Sequence, residues 1–138
     1  MQHRVPMTDD QFLAAFLDAS IAPSDFDHRG HLRAAWLLLQ RRPLPQAVAE
    51  TCEAIRRLAT HLGVPQKYNC TLTTALVRLM AQAGGATPGL DWEAFLAANP
   101  EFVRDARGVL ARHYSPEWLG SPAARAGFVL PDREPLPP

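Results

Sequence analysis

Phe26-Asp27-His28-Arg29-Gly30-His31-Leu32-Arg33-Ala34-Ala35-Trp36-Leu37-Leu38-Leu39 is the stretch from which the fold class is read. Leu32, Ala35, Trp36 and Leu39 recur at i, i+3, i+4 and i+7, the period of one buried helical face. The helix predicted from this run ends near Arg42, because Pro43 lacks a backbone donor and its ring crowds the preceding turn. Upstream, residues 21–27 form a connector. Before it, Thr8 caps a helix over about residues 9–19, with Asp9 and Asp10 in the first turn, where the helix dipole favours acids. Its stripe is Phe12, Leu13, Phe16 and Leu17.

Downstream, a third helix starts near Pro45 with the stripe Val48, Cys52, Ile55, Ala59 and Leu62, and Gly63 ends it. A fourth covers residues 70–83 with Leu72, Leu76, Leu79 and Met80 inward, stopped by Gly84-Gly85. Asp91 caps a short helix over residues 92–98. Pro100 opens another, with the stripe Phe102, Ala106, Leu110 and His113. Ser115-Pro116 and Ser121-Pro122 each pair an N-cap with proline at the first helical position, and so predict two short turns. No segment alternates as a strand does. The expected fold is all-α: a single-domain helical bundle of about five to six helices with an extended, proline-rich C-terminal tail over residues 129–138 and an N-terminal tail over residues 1–7.

Composition bounds the function. At 138 residues the chain has the length of one domain. A chain of this size buries roughly 68–70% of its unfolded surface and needs no staple. Equal numbers of basic and acidic residues, 14 each, give no electrostatic footprint for nucleic acid. The longest apolar run, Ala34 to Leu39, is too short to span a bilayer. The first ten residues lack the apolar core of a signal peptide. Cys52 and Cys70 make no disulfide framework, so the expected compartment is the cytoplasm. Lys67 is the single lysine in a chain whose other basic residues are all arginine.

The chemistry-bearing feature is the pair His28 and His31. Residues three apart share a helix face, and the pair precedes Leu32 and Ala35 by four residues each, which predicts that both imidazoles point to the inner edge. A helix N-terminus, Arg29 and Arg33 all disfavour the imidazolium form. Neutral imidazole serves either as a metal ligand or as a general base. Asp27 or Asp25 is expected to fix a ring tautomer through its carboxylate. A divalent metal (zinc, iron, copper or manganese) needs three or four ligands, so the pair would require Cys70 or His113 as a third. For a single histidine, capping or packing is the commoner role.

Lys67-Tyr68-Asn69-Cys70-Thr71-Leu72-Thr73 is the expected second contributor. It opens another helix, and two positive helix ends facing one pocket suit an anionic ligand. Tyr68 is an acid or donor candidate, Cys70 a thiolate ligand or nucleophile, and Asn69 and Thr73 orient a substrate. Their structural alternatives are N-capping by Asn69 or Thr71, burial of Cys70, and gap-filling by Tyr68. Cys52 is expected to be inert core, and His61 to complement its helix dipole or be solvated. Arg125 either clamps a carboxylate or phosphate, or ties the tail to a helix end, with the structural role favoured.

These segments together resemble a group of small helical bacterial proteins of unassigned activity. The shared pattern is F-x-H-x-x-H followed by A-W (Phe26, His28, His31, Ala35, Trp36), then K-Y-x-x-T-x-T (Lys67, Tyr68, Thr71, Thr73). A Y-S element (Tyr114, Ser115) precedes a final A-R-x-x-F-x-x-P-D (Ala124, Arg125, Phe128, Pro131, Asp132). The resemblance implies a common pocket built by the two helix starts and supplies no reaction. Members carry a histidine after the tyrosine, where this chain has Asn69. A three-histidine metal centre would therefore lack one ligand here.

The leading expectation is a small enzyme acting on a small-molecule substrate, anionic in one version. Its pocket is placed between the second and fourth helices, with His28 and His31 as metal ligands or as an acid–base pair. The rival is a non-catalytic interaction or ligand-binding module using the proline-rich tail. A metal carrier or sensor is the third. Neither fold nor motif supplies substrate, reaction or oligomeric state.

Overall fold

The computed structural model describes residues 7–137. Among them the chain is all-helical: α1 (Asp9–Leu17), α2 (His28–Arg41), α3 (Leu44–His61), α4 (Cys70–Met80), α5 (Trp92–Ala98), α6 (Glu101–Arg104), α7 (Ala106–Ala111), α8 (Pro116–Leu119) and α9 (Pro122–Ala126). The five longest are those predicted as full helices up to Ala98. Single 3₁₀ turns at Pro23–Asp25 and Pro65–Lys67 lead into α2 and α4. Residues 1–6 of the expected N-terminal tail lie outside the described residues.

The caps follow the sequence chemistry. Thr8 and Gln11 form a reciprocal capping box on α1, with Thr8 Oγ1 accepting from the Gln11 N–H at 3.1 Å. Asp27, Asn69, Asp91, Ser115 and Ser121 each accept a helix N–H through the side chain. α1 stops at Leu17, short of the expected end, because Ala19 turns into the left-handed region at φ +63°.

α2 is the central element. Its expected stripe is buried, and Ala34, Leu37 and Leu38 are buried as well, since α1, α3, α4 and α6 surround it. An aromatic run from Trp36 through Trp92 and Phe95 to Phe102 joins α2 to α5 and α6, with centroid spacings of 5.3, 6.2 and 6.0 Å.

Two stripes differ from expectation. On α3 the buried face is Ala47, Thr51, Ala54, Leu58 and Ala59, whereas Val48, Cys52 and Ile55 are half-buried and Leu62 is 44% exposed. The face of α3 packed on α2 and α4 is made mostly of small residues, with Leu58 the large one, while Val48, Cys52 and Ile55 lie at its edge. On α4, Thr71, Thr73 and Thr74 are buried alongside Ala75, Val77, Leu79 and Met80, whereas Leu72 and Leu76 are only half-buried. α4 is covered on several sides by α3, α7 and α9, so its polar positions are interior too.

The predicted helix after Pro100 is broken in two. Asp105, at φ −154° and ψ 60°, leaves helical geometry and caps α7 by accepting from the Gly108 N–H at 3.0 Å. The C-terminal segment is not a free tail. Tyr114 donates to the Val129 carbonyl, Trp118 Nε1 to that of Leu130, and Arg78 to that of Pro137. Asp132 accepts from both the backbone and hydroxyl of Ser115. The segment is a strap over α4, α7 and α8, held through its backbone as far as Pro137.

Candidate functional site

The connector before α2 sets both histidines. Asp27 adopts extended geometry, and its carboxylate accepts from the Gly30 N–H at 2.8 Å. Its backbone carbonyl accepts twice from His31, from the main-chain N–H at 3.0 Å and from ring Nδ1 at 2.9 Å. A carbonyl oxygen can only accept, so Nδ1 carries the proton and Nε2 keeps its lone pair. The tautomer is therefore fixed by the carbonyl of Asp27, not by a carboxylate as expected from sequence. His31 also lies on the ring of Phe26, with centroids 3.9 Å apart, and Phe26 stacks on Phe16 in the core.

Burial holds His31 below the usual histidine range. The hydrogen bond to Asp27 opposes that shift, the positive form of His28 adds to it, and the Asp27 carboxylate counters it. The arginines assigned this effect from sequence have acidic partners instead: Arg29 pairs with Glu93 at 3.4 Å and Arg33 with Asp9 at 2.8 Å. Desolvation, more than the local charge, keeps this imidazole neutral.

His28 differs. Its side chain is exposed, and ring Nε2 donates to the Phe102 carbonyl at 2.7 Å, tying α2 to α6. Thus one nitrogen of each imidazole is engaged by a backbone carbonyl, Nδ1 in His31 and Nε2 in His28.

His31 lines a pocket of about 240 Å³. Pro23 and Phe26 stand beside it, and Ile55 and Leu58 of α3, with Leu62 directly after the helix, form the facing wall. Lys67 and Tyr68 close one end. The pocket thus lies between the start of α2 and the second half of α3, with the turn before α4 as its floor, and not between α2 and α4. A more polar groove of about 480 Å³ runs on the other side of α2, bordered by Asp9, Arg29, Arg33 and Glu93, whose charges pair with one another.

Tyr68 lines the pocket, and the thiols of Cys70 and Cys52 act on its hydroxyl. Burial and these thiols push its ionisation far above the usual range, so it remains a neutral phenol. Cys52, whose Sγ lies 3.4 Å from Thr74 Oγ1, is likewise held above the ordinary thiol range by burial. It is a protonated thiol at neutral pH.

Asn69 makes two architectural hydrogen bonds. Its Oδ1 accepts from the Leu72 N–H at 3.0 Å and its Nδ2 donates to the Leu119 carbonyl at 2.8 Å. Arg125 donates to the carbonyls of Gln66, at 2.7 Å, and Gly120, at 3.2 Å, and so braces the turn that bears Lys67. Thr73 is buried in α4. His113 sits under the C-terminal strap, with Nδ1 donating to the Glu134 carbonyl at 2.9 Å. The structure brings His31, Lys67 and Tyr68 to one pocket, with Cys70 at the tyrosine hydroxyl. It leaves His113 and Arg125 at other contacts. Among the described residues no group of three or more His, Cys, Asp or Glu side chains is gathered to hold a metal ion.

The α3 wall and the placement of Lys67 escaped the sequence reading. One signal was present: Ile55 is a large apolar residue on a helix whose buried face is made mostly of smaller ones. The tail residues of the motif resemblance turn out to be ties, with Ser115 on Asp132 and Tyr114 on Val129. No protein-family model, curated protein or solved structure matches this chain.

Proposed function

We propose that the protein is a small-molecule enzyme that performs acid–base chemistry in the pocket between α2 and α3, with His31 as the proton-transferring group. The observation that carries this is the 2.9 Å hydrogen bond from His31 Nδ1 to the Asp27 carbonyl, which leaves Nε2 as a free base on a pocket-lining ring. A neutral imidazole of fixed tautomer in a largely apolar cleft is the arrangement that general-base catalysis uses. His28 is a positioning residue here: it anchors α2 on Phe102 and bears on the proton affinity of His31. Tyr68 supplies a wall and a phenol that stays protonated.

Imidazole NMR of the intact protein tests the base. His31 is expected to be the Nδ1-protonated tautomer at neutral pH and to take up its second proton only at a pH below that of an ordinary histidine. An Nε2-protonated His31 sinks the reading. Turnover of a ligand found by fragment screening then separates enzyme from binding module: His31→Asn should abolish turnover while leaving affinity within about threefold. Elemental analysis of untagged protein, beside the His28→Ala/His31→Ala double variant, addresses metal-assisted chemistry. A near-stoichiometric metal lost in the variant would replace the acid–base mechanism with a metal-centred one.

A further inference from the structure

The pocket proposed above as the site has a chemical asymmetry that narrows its ligand, and the ligand class rests on that assignment. Its sides are apolar: Phe26, Ile55, Leu58 and Leu62 offer ring and branched-chain surface. Among the described residues no carboxylate lines it, and its one full positive charge is Lys67, the single lysine of the chain. That lysine is not on a loose loop. Its N–H donates to the Val64 carbonyl at 3.0 Å, the next N–H to that of Pro65 at 3.2 Å, and Arg125 grips the Gln66 carbonyl between them at 2.7 Å. The backbone under the ammonium is thus fixed from both sides, while its stem remains free to reach a ligand.

We infer that the pocket takes a small organic acid with an apolar body, its carboxylate held by Lys67 and its aryl or branched-alkyl group packed on Phe26 and the α3 wall. The cleft, of about 240 Å³, lies below the range of pockets for drug-sized ligands and suits a small organic molecule. An anion at the Lys67 end would lie in the same cleft as His31. The proton acceptor would then act on a carbon or heteroatom of the acid's own body. An ammonium–carboxylate pair in open solvent is weak, and packing of the apolar body over it strengthens the contact by excluding water.

The test compares phenylacetate and 4-methylpentanoate with their uncharged amides, by calorimetry and by the ring resonances of His31 in the full chain. Each acid is expected to bind at least about twofold tighter than its amide, a preference lost in Lys67→Met and retained in Lys67→Arg. Lys67 is exposed, so both variants keep the fold. Equal affinity for acid and amide, or a preference that survives Lys67→Met, overturns the inference. So does failure of both classes to bind. If the amides bind equally and shift His31, the pocket assignment stands and only the ligand class falls. If the acids bind Lys67-dependently without moving His31, the ligand class stands and the acid–base reading falls.

Discussion

At the scale of single residues the decisive fact is which nitrogen of His31 is free. The hydrogen bond to the Asp27 carbonyl favours some proton affinity, but desolvation outweighs it and the folded-state value is lowered. The sign of the consequence follows from linkage. The unfolded chain takes up a proton at this residue near pH 6.5 and the folded chain only at lower pH. The contribution to stability is complete above about pH 6.5 and is lost as the pH falls through the folded value. Urea denaturation between about pH 7 and pH 5 should therefore show falling stability, with a shallower decline in His31→Gln. An identical slope in the two proteins would place His31 in solvent.

At the scale of the element, the start of α2 depends on a glycine that a simple helix reading treats as a defect. Gly30 is buried where the chain folds back on its own cap. A Cβ there would stand 2.8 Å from the Asp25 carbonyl oxygen and 3.4 Å from the Asp27 carboxylate. Alanine normally strengthens a helix interior by roughly 0.5–1 kcal/mol over glycine. Here the contact is with backbone that cannot rotate away, so Gly30→Ala is expected to destabilise by about 1–3 kcal/mol. The same change should shift the His31 ring resonances, because the Asp27 carbonyl and the cap move together. A stabilised Gly30→Ala variant would show that the connector yields and that His31 is not rigidly held.

At the scale of the whole molecule, stability and site are joined by the C-terminal strap. Thr71, fully buried at the start of α4, donates to the Gly127 carbonyl at 2.9 Å and accepts from the Val129 N–H at 3.0 Å. Arg125, just upstream, braces the turn that carries Lys67. Thr71→Val keeps the volume but leaves two backbone groups without their partner, and the expected cost is about 2 kcal/mol by chemical denaturation. Hydrogen exchange should locate the loss: faster exchange at Val129 and at Lys67 in the variant, with α2 unchanged. Uniform acceleration across the chain would mean that the strap is not a separate support. The proline-rich segment is tied down at the carbonyls of Val129, Leu130, Glu134 and Pro137.

The helical class, the bounds of most helices and the caps at Thr8, Asn69, Asp91, Ser115 and Ser121 were legible in the amino-acid order, whereas those at Asp27 and Asp105 were not. These are local effects: apolar period, proline, glycine and side-chain acceptors act within one or two turns. His31 and Tyr68 stood out on the same basis, because chemistry-bearing residues at helix starts are visible without a fold. Packing settled which face of α3 is buried, that Asp105 divides the helix after Pro100, and that the pocket wall comes from α3. These depend on how closely helices approach, and a small-residue seam such as Ala47, Thr51 and Ala54 is not marked by hydrophobicity. The separation of His28 from His31 was equally invisible. Their spacing places them on neighbouring positions of one helix, but the carbonyl that each ring meets, Phe102 for one and Asp27 for the other, is set by packing between elements distant in sequence and by the path of the connector.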